Sequence, residues 1–314
     1  MVPGKTNPAR GDLVSTLRLG LALPQYGPLA NPAAIAGFAA SAEALGYHSL
    51  WVGDRLLAPV DPSDRYPGGG TAERPYPPEF ARFVDPFVAL TAAAGATETV
   101  RLGSSTLSGP LYSPVLLART ATSLDLLSGG RLDLGLGLSW LRDEYTATGV
   151  PWRGRGARLD ELIEVLRTLW TADPAGHRSA RWEIPDALFE LRPVQRPHPP
   201  VLVGGMSEGA LRRVGRLADG WLPARLPAEV LRRMWAVVTE AAERAGRDPG
   251  TLRRVMRINP APGAACASIS DVAAQLAEAV AEGYREALVD LHYLAKDVEH
   301  ALELANELRS AVRG

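Results

Sequence analysis

The chain is poor in the residues that would send it out of the cell, into a membrane or onto nucleic acid. A single cysteine, Cys266, stands in 314 residues, so no intrachain disulfide can form, and a cytoplasmic protein is expected rather than a secreted one. No apolar run approaches the roughly 20 residues of a membrane span. The opening MVPGKTNPARGD lacks the apolar core of a signal peptide, and residues 1–16 are expected to be a loose leader. The net charge is −1, which leaves no bulk attraction for nucleic acid or an anionic surface. Lysine is nearly missing: only Lys5 and Lys296 occur, and arginine supplies every other basic side chain. Beside so much Ala, Gly and Pro, that bias reads as GC-rich coding and carries no function by itself. Only five histidines are present.

What is there is a repeating alternation of short apolar runs and helical stretches. Strands are expected at 18–23, 48–52, 101–107, 131–138, 201–203, 220–222, 253–258 and 287–291. Helical sequence follows each one. Asn31-Pro32 and Asp85-Pro86 open helices, Ser113-Pro114 caps another, and Ser270-Asp271 starts a later one. Residues 156–170 carry Leu159, Leu162, Ile163, Leu166 and Leu169 on one stripe. No two main strands are joined by a hairpin-length link, and parallel strands need longer crossovers. Eight such units close as a (β/α)8 TIM barrel, a single domain over 17–314. A doubly wound open sheet fits less well, because no G-x-G-x-x-G follows the first strand. Two segments exceed what a barrel needs. The Pro/Gly/Arg-rich stretch 56–84 after strand two has the length of a lid or binding loop, and 171–199 forms an insertion near strand five with a hairpin around 181–191.

The stretch 125–152, DLLSGGRLDLGLGLSWLRDEYTATGVPW, organises the rest. Gly129 and Gly130 stop a helix. In 132–138, Leu alternates with Asp133, Gly135 and Gly137, which suits a strand with one face on helices and the other in a tight centre. Ser139 and Trp140 fall at the strand end, and Glu144 opens a polar segment. The glycines serve either tight packing alone or the close approach of something planar beside an indole. The turn Gly204-Gly205-Met206-Ser207 has two readings as well: an anion site at a helix N-terminus, or a plain turn with Ser207 as N-cap.

A barrel carries its site at the C-terminal strand ends. That rule selects Gln25, Tyr26, Asp54, Arg55, Ser105, Thr106, Leu107, Ser139, Trp140, the turn 204–207, Arg225, His292 and Tyr293. The set holds no second histidine for a metal cluster and no Ser–His–Asp spacing.

The runs LALPQYG (21–27), AEALGYHSLWVGD (42–54), VRLGSSTL (100–107), SPVLLARTATSLDLLSGGRLDLGLG (113–137), RPVQRPHPPVLVGG (192–205) and LADGWLP (217–223) resemble the luciferase-like monooxygenase superfamily. Within it they resemble the branch that uses the deazaflavin coenzyme F420. The resemblance covers the chain from Arg18 onward and implies the barrel, a homodimer and a small-molecule substrate. Position by position it implies that Asp54 lies near the deazaflavin ring edge. Ser105–Thr106 would form a non-prolyl cis peptide behind the ring. Gly137 and Ser139 would touch the cofactor from strand four. Gly204, Gly205, Met206 and Ser207 would hold its phosphate, and Arg225 would hold the phosphate or acidic tail. Tyr26, Arg55 and Trp140 would face the substrate.

One departure matters. The branch commonly has Asp-His after strand two, and here the pair is Asp54-Arg55. Arginine stays protonated, so it cannot act as a general base near neutral pH. It can bind a carboxylate, clamp the cofactor, stabilise negative charge or merely pair with an acid of the long loop. Tyr26, Glu144 or water remain as proton donors. The expected activity is F420-dependent hydride transfer to or from a C=C, C=N or C=O group. An FMN monooxygenase on the same barrel is the first alternative, and a deazaflavin-binding protein without turnover is the second.

Overall fold

The computed structural model describes residues 17–261 and 266–313; the expected leader at 1–16 lies outside them. Eight parallel strands close into a barrel: β1 (Arg18–Ala22), β2 (Ser49–Val52), β3 (Arg101–Ser104), β5 (Leu132–Gly137), β8 (Val201–Gly204), β9 (Gly220–Leu222), β10 (Arg253–Ile258) and β11 (Glu286–Val289). Each pairs with its neighbour, β1 meets β11, and the β3–β5 pairing closes the ring. A two-residue strand, β4 (Leu107–Ser108), pairs with the end of β5. Strand three is therefore two pieces rather than one, with a cis Ser105–Thr106 peptide between them, at the position the resemblance implies.

Helices α1 (Ile35–Ala44), α2 (Pro86–Gly95), α3 (Pro114–Leu127), α4 (Arg142–Ala147), α5 (Arg155–Thr171), α6 (Glu208–Leu217), α7 (Ala228–Arg244), α8 (Ile269–Ala281) and α9 (Val298–Arg313) surround the barrel. Local chemistry sets their ends. Asp85 accepts from the amides of Phe87 and Val88 and starts α2. Gly129 and Gly130 take φ of 66° and 86° after α3, where a Cβ would be strained. Asn31 caps a 3-10 turn ahead of α1 instead of the α-helix itself. Ser268, not Ser270, caps α8 through its side chain. The insertion forms an antiparallel hairpin, β6 (Ala175–Arg178) with β7 (Glu183–Ala187), earlier in the chain than expected.

Alternation sorts the barrel interior into layers. At the bottom, Asp133 is fully buried and accepts from Arg101 (2.8 and 2.6 Å) and Arg253 (2.7 and 3.0 Å). Arg253 also pairs with Glu286, which Arg18 reaches from β1. Burial pushes the Asp133 carboxyl up, but hydrogen bonds and charge from the two arginines outweigh it and hold the group below its ordinary range. Above this plug, Trp51, Leu202, Leu222, Val255 and Leu288 fill the centre. The Trp51 ring lies where side chains at Gly20 or Gly103 would stand, at 2.7 and 2.4 Å from an added Cβ. The top of the barrel is different. There Ala22, Gly53, Ser105, Gly137, Gly204 and Ala224 leave space, and only Arg257 and Asp290 are large.

Candidate active site

That open top is the floor of a cavity of about 780 Å³, within the range of small-molecule and cofactor sites. Its shape follows from the small residues. A Cβ at Gly137 would stand 2.3 Å from Thr106 Oγ1, and one at Gly204 2.8 Å from Thr106 Cγ2. Thr106 therefore nests between two glycines from β5 and β8. Gly135 answers to packing alone, since a Cβ there would stand 1.8 Å from the Ser104 carbonyl oxygen. Both glycines of the strand are thus set by contact with strand three, Gly135 with the Ser104 backbone and Gly137 with the Thr106 side chain.

Asp54, at the end of β2, is buried, and its Oδ2 accepts from the Ser108 amide (2.8 Å) and the Tyr112 hydroxyl (3.1 Å). Burial raises its carboxyl above the ordinary value, and those two donors oppose the rise. Gln25 braces the same corner from β1: its amide donates to the Gly53 and Val84 carbonyls and accepts from the Gly53 amide. Beside Asp54, the Arg55 guanidinium stands 3.2 Å from Glu144 and stacks over Trp140 at 4.9 Å and Phe80 at 5.7 Å. Glu144 accepts from the Leu56 amide and, at 2.5 Å, from the Ser139 hydroxyl. Ser139 has φ of 53°, the only positive value at a non-glycine among the described residues. That left-handed turn ends β5 and sets both Ser139 and Trp140 on the cavity wall.

The long loop covers one side. Tyr66 meets Trp140 and Phe80 edge-on, and Tyr76 tilts over Trp140 at 6.4 Å. Helix α4 holds the loop: Asp64 accepts from the Arg142 amide (2.9 Å), and Asp143 accepts from the Ser63 amide (2.9 Å) and hydroxyl (3.1 Å). Opposite, the turn 204–207 opens on the cavity and leads into α6, where the Ser207 hydroxyl caps the helix by accepting from Ala210. The indole of Trp221 donates to the Gly205 carbonyl from below (3.0 Å) and fixes the turn.

Two positions depart from what the sequence suggests. Arg225 does not line the cavity. It pairs with Glu278 of α8 and with Glu282 at its C-terminal cap. Its neighbour Ala224 bridges to Arg257 and shares its inward face, so Arg225 points outward. Tyr26 lines the cavity, but its hydroxyl donates to Asp290 (2.9 Å) and its ring is stacked between His292 and Phe83. Burial, then the Asp290 charge, push its phenol well above the ordinary range, so it is a poor acid. His292 packs against Tyr26 and is absent from the cavity wall. Two residues escaped notice in the sequence. Arg257 reaches the floor from β10 and donates to the Ser105 carbonyl (3.0 Å), and Asp290 lies beside it from the end of β11. Strand parity would have found both: 253, 255 and 257 share one face of β10, as 286, 288 and 290 continue one face of β11.

Among the described residues no group of side chains could hold a metal ion, and no helix is long and apolar enough to cross a membrane.

The chain is similar to several known proteins, two of them by sequence and two by fold. An uncharacterized protein of Mycobacterium tuberculosis is 37% identical over 210 residues, 67% of this chain and 71% of its own. The phthiodiolone/phenolphthiodiolone dimycocerosates ketoreductase of the same species is 32% identical over 230 residues, covering 71% of this chain and 58% of that one. An F420-dependent secondary alcohol dehydrogenase, solved with an F420-acetone adduct, matches the fold with a TM-score of 0.75 over 95% of this chain and 99% of that one, at 17% identity. A monooxygenase from Streptomyces bottropensis matches at 0.73, over 94% and 98%, at 20% identity. The family profile described as luciferase-like monooxygenase matches residues 13–311. With that match running through every strand that builds the cavity, the chain belongs to the luciferase-like monooxygenase family.

Proposed function

We propose that the protein is an F420-dependent oxidoreductase that transfers hydride between a deazaflavin and a small organic molecule. The flat floor of small residues fits a fused planar ring. Asp54, Ser105, Thr106, Gly137 and Ser139 would surround the ring, and Gly204, Gly205, Met206 and Ser207 would hold the phosphate at the start of α6. When bound, the deazaflavin supplies a carbon centre that gives or takes hydride and leaves oxygen chemistry aside. The chain's own residues bind the ring, keep water out under the loop 56–84, and orient substrate against Trp140 and Arg55.

The observation that carries deazaflavin over flavin is the state of the arginines around the phosphate turn. Arg212 pairs with Glu208, Arg213 and Arg216 with Asp160, and Arg225 with Glu278 and Glu282. A flavin mononucleotide ends in a phosphate monoester of about −1.5 to −2 charge at pH 7, which calls for a free cation. The phosphate of F420 is a diester with one charge, which backbone amides and a helix dipole suit at the turn itself, and the carboxylates of its acidic tail would lie beyond the turn, solvated by water. A homodimer fits the same reading, with Val88 and Leu127 exposed on α2 and α3.

The test is an anaerobic assay with reduced F420 and a panel of ketones, imines and activated alkenes. Oxidation of the cofactor in step with reduced product supports the reading. Binding without turnover on any substrate makes the protein a deazaflavin carrier, and oxygen-dependent turnover with reduced FMN makes it a monooxygenase.

A further inference from the structure

Half-buried aromatic rings gather on one wall of the cavity. Tyr66, Tyr76, Phe80, Phe83, Trp140 and Tyr293 all line it, and all keep part of their surface open. Five of these rings are in unbroken contact. Phe83 meets Phe80 at 6.4 Å, Phe80 meets Tyr66 at 5.3 Å, Tyr66 meets Trp140 at 5.5 Å, and Trp140 meets Tyr76 at 6.4 Å. Rings that serve packing alone are covered: Trp221, Tyr145 and Tyr284 are fully buried. Leaving that much aromatic surface open in a concave wall is unfavourable until a ligand covers it.

The wall is also held in place. The tip of the long loop is tied to itself: the Tyr66 amide donates to the Pro75 carbonyl (2.7 Å), Gly70 to the Tyr66 carbonyl (2.8 Å) and Thr71 to the Arg74 carbonyl (2.8 Å). Its glycines serve Tyr66. A Cβ at Gly68 would stand 2.5 Å from the Tyr66 ring, and one at Gly70 would stand 2.3 Å from the Pro75 carbonyl oxygen. Arg55 lies over Trp140 and Phe80 and pairs with Glu144. Rings fixed before a ligand arrives lose little freedom on binding it. The charges on the cavity wall cancel, with Arg55, Arg74 and Arg257 against Asp54, Glu79 and Asp290.

We infer that this wall selects a flat, uncharged, conjugated ring molecule as substrate, with Tyr66 and Phe80 setting the preference. The inference rests on the reading above for the cofactor's share of the cavity. A ring on the small-residue floor and a phosphate at the turn 204–207 leave the loop side for the substrate. Aromatic pairs in edge-to-face or offset contact add a factor of about three to ten in affinity beyond area alone. A saturated molecule of the same skeleton forgoes that factor. A charged molecule gains nothing from a wall whose charges cancel.

The test compares 2-naphthol with decahydro-2-naphthol by isothermal titration calorimetry, on the F420-loaded protein and on the protein alone. The two probes share a skeleton and a hydroxyl. The saturated one has the larger apolar area, so area alone would make it the tighter ligand. The expected result is the reverse, a preference for 2-naphthol of at least about tenfold. Tyr66→Leu and Phe80→Leu should each cut that ratio by about threefold or more, and Tyr66→Phe should keep it. The ratio is the readout because a loosened loop weakens both probes alike. Equal or tighter binding of the saturated alcohol overturns the assignment. So does a ratio unchanged in both leucine variants, or no binding of 2-naphthol in either state of the protein. A preference on the protein alone without any F420 binding ends the deazaflavin reading and leaves the wall's assignment standing. F420 binding without the preference does the opposite.

Discussion

Replacing Asp133 with Asn tests the reasoning that places the site. The Asp133 carboxylate closes the bottom of the barrel, fully buried, with four charge-assisted hydrogen bonds from Arg101 and Arg253. Asparagine keeps the shape, removes the charge, and turns two donors toward donors. Removing one partner of a buried ion pair costs about 3–5 kcal/mol. Arg253 keeps Glu286, and Arg101 keeps the Leu132 carbonyl and Gln195, so the lower half of that range, about 3–4 kcal/mol, applies. Unfolding entropy near the midpoint is about 2.1 cal/mol/K per residue, or roughly 0.66 kcal/mol/K for 314 residues. The expected fall in Tm by differential scanning calorimetry is therefore about 5–6 °C. The pH dependence has a definite sign. The folded carboxyl is held below its unfolded value of about 3.9, so the wild-type advantage is complete above that value and fades as pH falls through the lower folded one. The plug lies at the end of the barrel opposite the cavity, so F420 affinity should stay within about twofold at a temperature where both proteins are folded. A Tm within about 2 °C of wild type at pH 7, or a difference that widens toward low pH, refutes the account of the plug.

Two further substitutions probe the cavity itself. Gly137→Ala drives a methyl against Thr106; overpacking of that kind costs about 1–3 kcal/mol, and F420 affinity measured by fluorescence should fall with the Tm, whereas unchanged values for both would show that the floor is slack. Asp143→Ala removes two exposed hydrogen bonds to Ser63, worth about 0.5–1.5 kcal/mol each, so limited proteolysis within 56–84 should speed up and KM should rise while the Tm falls by at most about 2–5 °C; a protected loop would show that α4 does not hold it.

The barrel was legible because its signals are local and periodic. Eight short apolar runs with helical sequence between them leave few topologies, and the alternation of Leu with Asp133, Gly135 and Gly137 marks an inward face before any contact is known. The cis peptide at Ser105–Thr106 came through family likeness, not through any propensity. Arg225 misled because proximity to a strand end says nothing of direction; one residue of parity turns it from the cavity to α8. The Asp133 plug joins residues 120 positions apart in sequence, and no local pattern encodes that pairing. The aromatic cover from Tyr66, Tyr76 and Phe80 is set by a long irregular loop held through Asp64, Ser63 and Leu56, contacts that only the folded chain brings together.

The claim at the centre is that this cavity holds a deazaflavin. Titrating the purified protein with F420, and separately with FMN, while following tryptophan fluorescence tests it most directly, because Trp51 and Trp140 both line the cavity. The account predicts strong quenching with tight F420 binding and weak FMN binding, since Arg212, Arg213, Arg216 and Arg225, the arginines that follow the phosphate turn in the chain, are already paired. Tighter binding of FMN, or no binding of either, would contradict it.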